Sequence, residues 1–302
     1  MWFGFAILTA LAWGGADFFY KKGTDSNDSY SHLKIVIMVG FVMGIHAVFY
    51  MCFKGISFHP MDLITYLPVS ALYIISMAIG YIGLRYLELS IASPIQNSSG
   101  AVTTILLYIF FAHELGFLEI LGVVIITMAV IGIAVLEKRE ENKVLMKQHG
   151  QIDKKYQLSF MAIMFPIMYC ILDGLGTFAD AIYLDELQLI SEDSALLAYE
   201  FTFLICAVAS FVFLKFIKKE PFHFFKERDK GCAAILETTG QFFYVFAMAS
   251  NAIIAAPLIG SYSIVSILLS RLFLKEKLSK QKYILIAIVI FGIAMLGLAD
   301  EL

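Results

Sequence analysis

Long apolar runs alternate with short charged or turn-rich breaks along the whole chain. Ten windows are long enough to cross a bilayer at about 20 residues per helix. They are Trp2 to Tyr20, Leu33 to Phe53, Leu63 to Leu87, Ile91 to Phe111, Phe117 to Leu136, Ser159 to Ala181, Ala195 to Leu214, Cys232 to Ser250, Ala252 to Phe273 and Tyr283 to Ala299. The narrowest breaks, Glu88 to Ser90 and the stretch around Asn251, predict tight helical hairpins. One long hydrophilic stretch interrupts the pattern, Glu137 to Gln157, and it leaves five spans on either side. The expected domains are therefore residues 1–137, a linker over 138–157, and residues 158–302.

Five spans and five spans invite a search for an internal repeat. Tyr81-Ile82-Gly83-Leu84 through Ser90-Ile91-Ala92-Ser93-Pro94 lies over Tyr244-Val245-Phe246-Ala247 through Ile253-Ile254-Ala255-Ala256-Pro257. After a one-residue slip, Ile105-Leu106-Leu107 through Glu114 matches Ile267-Leu268-Leu269 through Glu276. An odd number of spans per repeat inverts one half relative to the other in the membrane. The predicted fold is an all-α membrane protein, with ten transmembrane helices forming two inverted five-helix repeats around a central cavity. Pro94 and Pro257 have no N–H to give a helix, so broken or bent helices are expected at matching places.

Composition supports this reading. Of 302 residues, 60% are hydrophobic and only 16% charged, whereas soluble chains average about 25% charged residues. Mean hydropathy is +0.81. Ten spans leave roughly 100 residues for loops, too few for a nucleotide-binding domain, and no Gly-x-x-x-x-Gly-Lys loop is present. A nucleotide-driven pump within this chain is excluded. The four cysteines, Cys52, Cys170, Cys206 and Cys232, fall in or at the ends of apolar runs without metal-ligand spacing. They read as membrane-packed thiols, and no metal or cofactor is expected.

The net charge of −3 says little, but its distribution says much. Every Lys and Arg except Lys54 lies in the loops after odd-numbered spans or at their flanking helix ends. Ala112-His113-Glu114-Leu115-Gly116 has no Lys or Arg, whereas its counterpart Lys275 to Lys282 is strongly basic. By the positive-inside rule the odd loops are cytoplasmic and both termini face outward, in a multi-pass protein of the cell membrane. Met1-Trp2-Phe3 opens without a basic region or a clear cleavage site downstream, so the first span is expected to be retained. Gly40-x-x-x-Gly44 suits either a dimer face or packing within one chain, which leaves the oligomeric state open.

Charged groups inside hydrocarbon cost at least about 2.5 to 3.5 kcal/mol each on insertion scales, so they turn toward a cavity or a partner. Asp17, Asp173, Glu200 and Glu237 lie well inside the spans, and Asp180 lies nearer a helix end. Helical spacing groups them with other side chains: Trp13, Asp17 and Tyr20; Asp173, Thr177 and Asp180; Glu237, Gln241 and Tyr244. A further stripe joins Gln96, Gly100 and Thr103 beside Asn97. Asp17 serves either transport or pairing with Lys21 four residues on. Gln96 and Asn97 serve either the cavity or helix packing, and His46 reads as a packing histidine. Tyr81 and Tyr244 occupy equivalent positions in the two halves and are candidate walls for a cation.

Trp13-Gly14 followed by Lys21, the Pro94 and Pro257 spans, and Glu114-Leu115 and Glu276-Lys277-Leu278 leading into the last span of each half resemble the drug/metabolite transporter superfamily. The resemblance is to its ten-span EamA-type branch and covers essentially the whole chain. It implies secondary transport of a small polar metabolite by alternating access, with spans 1, 3, 4, 6, 8 and 9 near the cavity. Asp173-Gly174 stands where a second Trp-Gly would be expected. The leading expectation is a transporter of a cationic or zwitterionic organic solute, with protons as a candidate coupling ion. Its candidate binding residues are Trp13, Asp17, Tyr81, Gln96, Asn97, Asp173, Thr177, Glu200, Glu237, Gln241 and Tyr244. The expected partners are that solute and the lipid bilayer, and no nucleic acid. An amino-acid or neutral-metabolite exporter is the alternative within this class. An intramembrane aspartyl protease would need paired carboxylates in Tyr-Asp and Gly-x-Gly-Asp motifs, and neither is present.

Overall fold

In hydrocarbon every backbone N–H and C=O must find its partner within the protein, so apolar runs of this length fold as helices. A computed structural model describes residues 1–24, 28–83, 95–111, 115–149, 159–273 and 278–301. The Glu88 to Ser90 hairpin, Pro94, Glu114 and Glu276 lie outside the described residues. Among those described there is helix and no strand. Six helices are long and apolar enough to cross a membrane: Trp2–Gly23, Ser31–Lys54, Met164–Glu186, Glu192–Ile217, Phe224–Ile259 and Lys280–Ala299. Four shorter apolar helices are Leu67–Gly83, Ser99–Phe110, Phe117–Ile133 and Tyr262–Phe273.

In chain order, the helices are α1 (Trp2–Gly23), α2 (Ser31–Lys54), α3 (Leu67–Gly83), α4 (Ser99–Phe110), α5 (Phe117–His149), α6 (Ser159–Ala181), α7 (Glu192–Val212), α8 (Arg228–Ile259), α9 (Tyr262–Phe273) and α10 (Lys280–Glu301). A short turn of helix, Pro60–Thr65, precedes α3, and π-helical segments Ile182–Glu186 and Phe213–Ile217 prolong α6 and α7. The helix α5 runs on to His149, through residues read from the sequence as linker. That run holds no Gly or Pro before Gly150 and is rich in Glu, Lys, Arg, Leu and Met, all strong helix formers.

The most extensive pairings are α1 with α8, α2 with α7, α3 with α6 and α5 with α10. Small residues set how closely they approach. A Cβ on Gly40 would lie 2.4 Å from the Phe203 carbonyl oxygen, and one on Gly44 would lie 2.7 Å from Leu204 Cδ2. The Gly-x-x-x-Gly of α2 is therefore an α2–α7 contact within the chain. The faces turned away from the bundle carry Phe49, Phe53, Ile109, Phe110 and Phe291, as lipid contact requires.

Three breaks in regular helix bear on the centre of the bundle. At Asn251 the backbone leaves helical geometry (φ −169°, ψ 81°), and the N–H of Ala252 just beyond is capped by Asp185 Oδ2 at 2.8 Å. This is the narrow break expected there. The Gly260–Ser261 turn then separates the end of α8 from α9, three residues after Pro257. An equivalent turn at Asn97–Ser98 precedes α4. Ser261 N–H donates to Leu258 O (3.0 Å) and Ser98 N–H to Ile95 O (3.3 Å), in the same local pattern. Pro257 cannot donate to Ile253 O, and the Thr104 hydroxyl of α4 does so instead, at 3.2 Å.

The bundle ends differ. At the basic end, Lys22 pairs with Asp229 (3.1 Å) and Lys34 with Asp28 (2.7 Å), while Lys230 bonds Glu227, so α1, α2 and the start of α8 are tied together. Partial burial pushes the Asp28 carboxyl upward, but Lys34 and the Tyr30 N–H outweigh it and hold it below the ordinary carboxylate range. Toward the opposite end, His46 Nδ1 lies 2.7 and 3.0 Å from the two carboxylate oxygens of fully buried Glu200. The Tyr50 hydroxyl donates to Asp193 at 2.5 Å.

Two outcomes are expected. Deleting one partner of a buried pair strands the other charge. Because His46 is a third exposed, His46→Ala should cost about 3 kcal/mol, the lower end of that range, read by equilibrium unfolding in detergent, and adding Glu200→Gln should recover most of it. Equal stability of His46→Ala and wild type would remove this pair from what holds α2 to α7. For orientation, Gly55 closes α2 in the left-handed region (φ 67°), so exposed Ser57 is the better labelling position in that loop. In a cysteine-free background, Ser57→Cys should react with an impermeant thiol reagent in intact cells and Lys147→Cys should not. The reverse pattern would overturn the topology read from the charges.

Candidate functional site

Where the breaks at Asn97–Ser98 and Gly260–Ser261 meet, the helices cannot fill the space between them. A cavity of ≈ 90 Å³ remains there, enough for several water molecules or a small solute. Its walls come from α1, α3, α4, α6, α7, α8 and α9, and they include Gln96, Ser99 and Gly100 at one break and Ala256, Ile259 and Gly260 at the other. Close helix crossings frame it. A Cβ on Gly14 would lie 2.4 Å from Val265 Cβ and 2.7 Å from Tyr262 O, and one on Gly174 would lie 3.0 Å from Val102 Cβ and 3.3 Å from Ser99 O.

Among the described residues three carboxyl groups line the cavity, those of Asp17, Asp173 and Glu237, and no Lys, Arg or His does. Helical spacing delivers them from α1, α6 and α8, with Trp13 and Tyr20, with Thr177, and with Gln241 and Tyr244 of their predicted stripes; Asp180 of the α6 stripe is outside the lining. Hydroxyls of Ser99, Tyr169 and Ser76 stand around the Asp173 carboxyl. Trp13 sits between acid and aromatic wall. Its indole N–H donates to Glu237 O at 3.3 Å, and its ring stacks on Tyr244 at 5.0 Å between centroids. A Cβ on Gly240 would fall 2.3 Å from Trp13 Cδ1, so the glycine is what admits the indole.

Seven tyrosines complete the wall: Tyr20, Tyr73, Tyr81, Tyr169, Tyr199, Tyr244 and Tyr262. Toward the basic end, the rings of Tyr20 and Tyr81 pack at a tilt, 5.1 Å between centroids. Toward the other end, the Tyr73 and Tyr244 hydroxyls bond each other, and Tyr73 also donates to Thr177 Oγ1 at 3.1 Å. Acids and π-faces without a competing base among the described residues are groups whose chemistry favours cations.

Of the residues expected from sequence, Trp13, Asp17, Tyr81, Gln96, Asp173, Thr177, Glu237, Gln241 and Tyr244 come together in this lining. Asn97 and Glu200 do not. Asn97 forms the turn before α4, with its carbonyl oxygen 3.1 Å from where a Gly260 Cβ would be. Glu200 faces His46 between α2 and α7. Sequence reasoning missed Tyr73, Tyr169, Tyr199 and Tyr262 as wall residues. Two of these had a signal, since Tyr73 steps through Met77 to Tyr81 at four-residue spacing and Tyr169 lies four before Asp173.

Comparison with known proteins bears on what such a site is for. No curated protein matches the chain. Solved structures do: 28 chains match. One of them, described as a crystal structure of a protein, has a TM-score of 0.63 over 95% of this chain and 97% of that one. At 12% identity that likeness is one of fold alone. The EamA-like transporter family matches residues 1–135 and 176–298. A multi-pass bundle with a central polar cavity is what a membrane transporter requires, and the chain belongs to the EamA-like transporter family, within the drug/metabolite transporter superfamily.

Proposed function

We propose that the chain is a secondary transporter moving a small organic cation or zwitterion across the cell membrane by alternating access around the cavity, with proton coupling. The observation that carries this reading is the lining itself, Asp173 and Glu237 among seven tyrosines and Trp13, with no basic side chain among the described residues. A cationic centre gains charge attraction and cation–π contact there, and a carboxylate vacated by the substrate can take a proton in its place. Gln96, Gln241 and Thr177 offer hydrogen bonds to a polar group on the same solute. Asp17 adds a third acid toward the basic end.

The proposed architecture is ten spans in two inverted halves, residues 1–137 and 158–302 joined by 138–157, with both termini outside. Paired contacts support it. Gly14 of the first half meets Tyr262 and Val265 of the second, and Gly174 of the second half meets Ser99 and Val102 of the first. In the repeat, Ser99 and Val102 are the counterparts of Tyr262 and Val265. The pairings α1 with α8 and α3 with α6 are likewise exchanged by the repeat, and α2 with α7 and α5 with α10 map onto themselves. Such reciprocity is the signature of a two-fold axis. Asn97 and Gly260 are also counterparts, and they meet each other, which sets the axis beside the two breaks.

A thermal-shift screen of amines, quaternary ammonium compounds and amino acids tests the substrate class, because a ligand that binds only the folded state stabilises it, by about 2.7 kcal/mol at one hundred times its Kd. Cationic compounds should raise the unfolding temperature, and Asp173→Asn and Glu237→Gln should each abolish the shift while folding normally. Uptake of the best compound into proteoliposomes should fall at least tenfold in both variants and should depend on a proton gradient in the wild type. Wild-type uptake and pH profile in both variants would make these acids structural.

A further inference from the structure

We propose that Asp180 is a second proton-binding site, separate from the substrate-facing acids, which connects the cavity to the end of the bundle opposite the basic loops. Its side chain has no solvent exposure and is outside the cavity lining. The Tyr66 hydroxyl donates to its Oδ1, while Oδ2, equally buried, has no hydrogen-bond partner. A buried carboxylate oxygen left without a donor is costly, and a proton on the carboxyl removes the charge that makes it so. The titratable groups facing Asp180 are Tyr66 and Tyr73 from the α3 side, Tyr199 from α7 and Tyr244 from α8, with Asp173 two turns away on its own helix. Among the described residues no Lys, Arg or His is one of these neighbours.

Packing alone does not call for an acid here. Counting from the matched crossings at Gly14 and Gly174, Asp173 stands where Trp13 does in the first half, Thr177 where Asp17 does, and Asp180 where Tyr20 does. Tyr20 closes on Tyr81 at the basic end. The counterpart of Tyr81 is Tyr244, whose hydroxyl stands by Asp180. Each end of the cavity thus has a tyrosine from the third span of its half, opposed by a phenol at one end and by a carboxyl at the other. A carboxyl gives up its proton about six pH units more readily than a phenol, so the second closure is the one suited to exchange it.

Hydroxyls continue inward from Asp180. Tyr73 and Tyr244 are bonded to each other, Tyr73 donates to Thr177 Oγ1 at 3.1 Å, and all three line the cavity. A proton leaving Asp180 passes to the Tyr244 hydroxyl beside it, Tyr244 passes its own to Tyr73 and Tyr73 its own to Thr177, whose hydroxyl turns from the Asp173 carbonyl it serves at 2.9 Å to release one proton into the cavity. On the other side, Tyr66 directly follows the exposed turn Pro60–Thr65. When the Tyr66 contact opens, Asp180 exchanges its proton with that side.

The inference rests on the transport reading for its purpose but not for its test. Infrared spectra of the protein in lipid, recorded across pH without any solute, report the carbonyl stretch of protonated carboxyl groups. A pH-dependent component should be lost in Asp180→Asn and displaced in Tyr66→Phe, which removes the one full hydrogen bond. On transfer to heavy water, that component should shift more slowly in Tyr73→Phe than in the wild type. If Asp180→Asn and Tyr66→Phe both give wild-type spectra at every pH, Asp180 binds no exchangeable proton. If the component titrates but Tyr73→Phe exchanges as the wild type does, the relay is refuted. Should the cation screen fail, these spectra would still decide the matter of the proton.

Discussion

The hydroxyl of Thr104 does for Pro257 what a helix normally does for itself. Pro257 has no N–H to give the carbonyl of Ile253, and in a membrane no water stands ready to replace it. The replacement comes from α4, at 3.2 Å, so the broken stretch of one half of the chain is completed by the other. The consequence is geometric. Two irregular backbones must lie against each other, and that demands residues without bulk: Gly100, whose Cβ would lie 2.7 Å from Ala256 O, and Gly260, whose Cβ would lie 3.1 Å from Asn97 O. The cavity exists because helices interrupted in this way cannot close on one another along their full length.

Once a cavity sits at mid-bundle, electrostatics decides its chemistry. Polar residues that would be expensive against lipid become acceptable along its walls, and the three helices α1, α6 and α8 each bring a carboxyl at the same general depth. Lysines and arginines are kept away by a simpler rule: their long stems reach the bundle ends, where Lys22 meets Asp229 of α8, Lys34 meets Asp28 in the loop before α2, and Lys230 meets Glu227 three residues before it. The separation leaves the interior acidic and the basic end neutralised. The same constraint explains why Glu200 did not join the cavity. A buried acid needs a partner or water, and His46 supplied the partner on the outer face of the bundle.

The helices were legible because crossing a membrane requires long apolar runs, and α6, expected over Ser159 to Ala181, spans those residues. The acid stripes were legible because a four-residue step keeps side chains on one face. Tyr199 and Tyr262 were not, since Glu200, the acid inside α7, is the next residue along and faces elsewhere, α9 has no acid, and one tyrosine among 15 carries no local mark. His46 and Glu200 each stood out, but their pairing depends on how α2 and α7 dock, which neither segment encodes alone. Asp180 was placed too near a helix end because the π-helical turn Ile182–Glu186, invisible to an apolar profile, prolongs α6 beyond it.

Repetition and divergence divide the work between them. Matched crossings at Gly14 and Gly174 need only small residues and tolerate nothing larger, so they hold the two halves to one geometry. The side chains one turn along each helix are under no such restriction, and there the halves differ: tryptophan, aspartate and tyrosine on α1, aspartate, threonine and aspartate on α6. If both closures were phenol against phenol, a proton gradient would act equally on either and could favour neither side. On the reading proposed above, exchanging the phenol of Tyr20 for the carboxyl of Asp180 would give one closure a charge that depends on pH. A scaffold that rocks between two sides would thereby be biased in one direction, by a single side chain and without a change in fold.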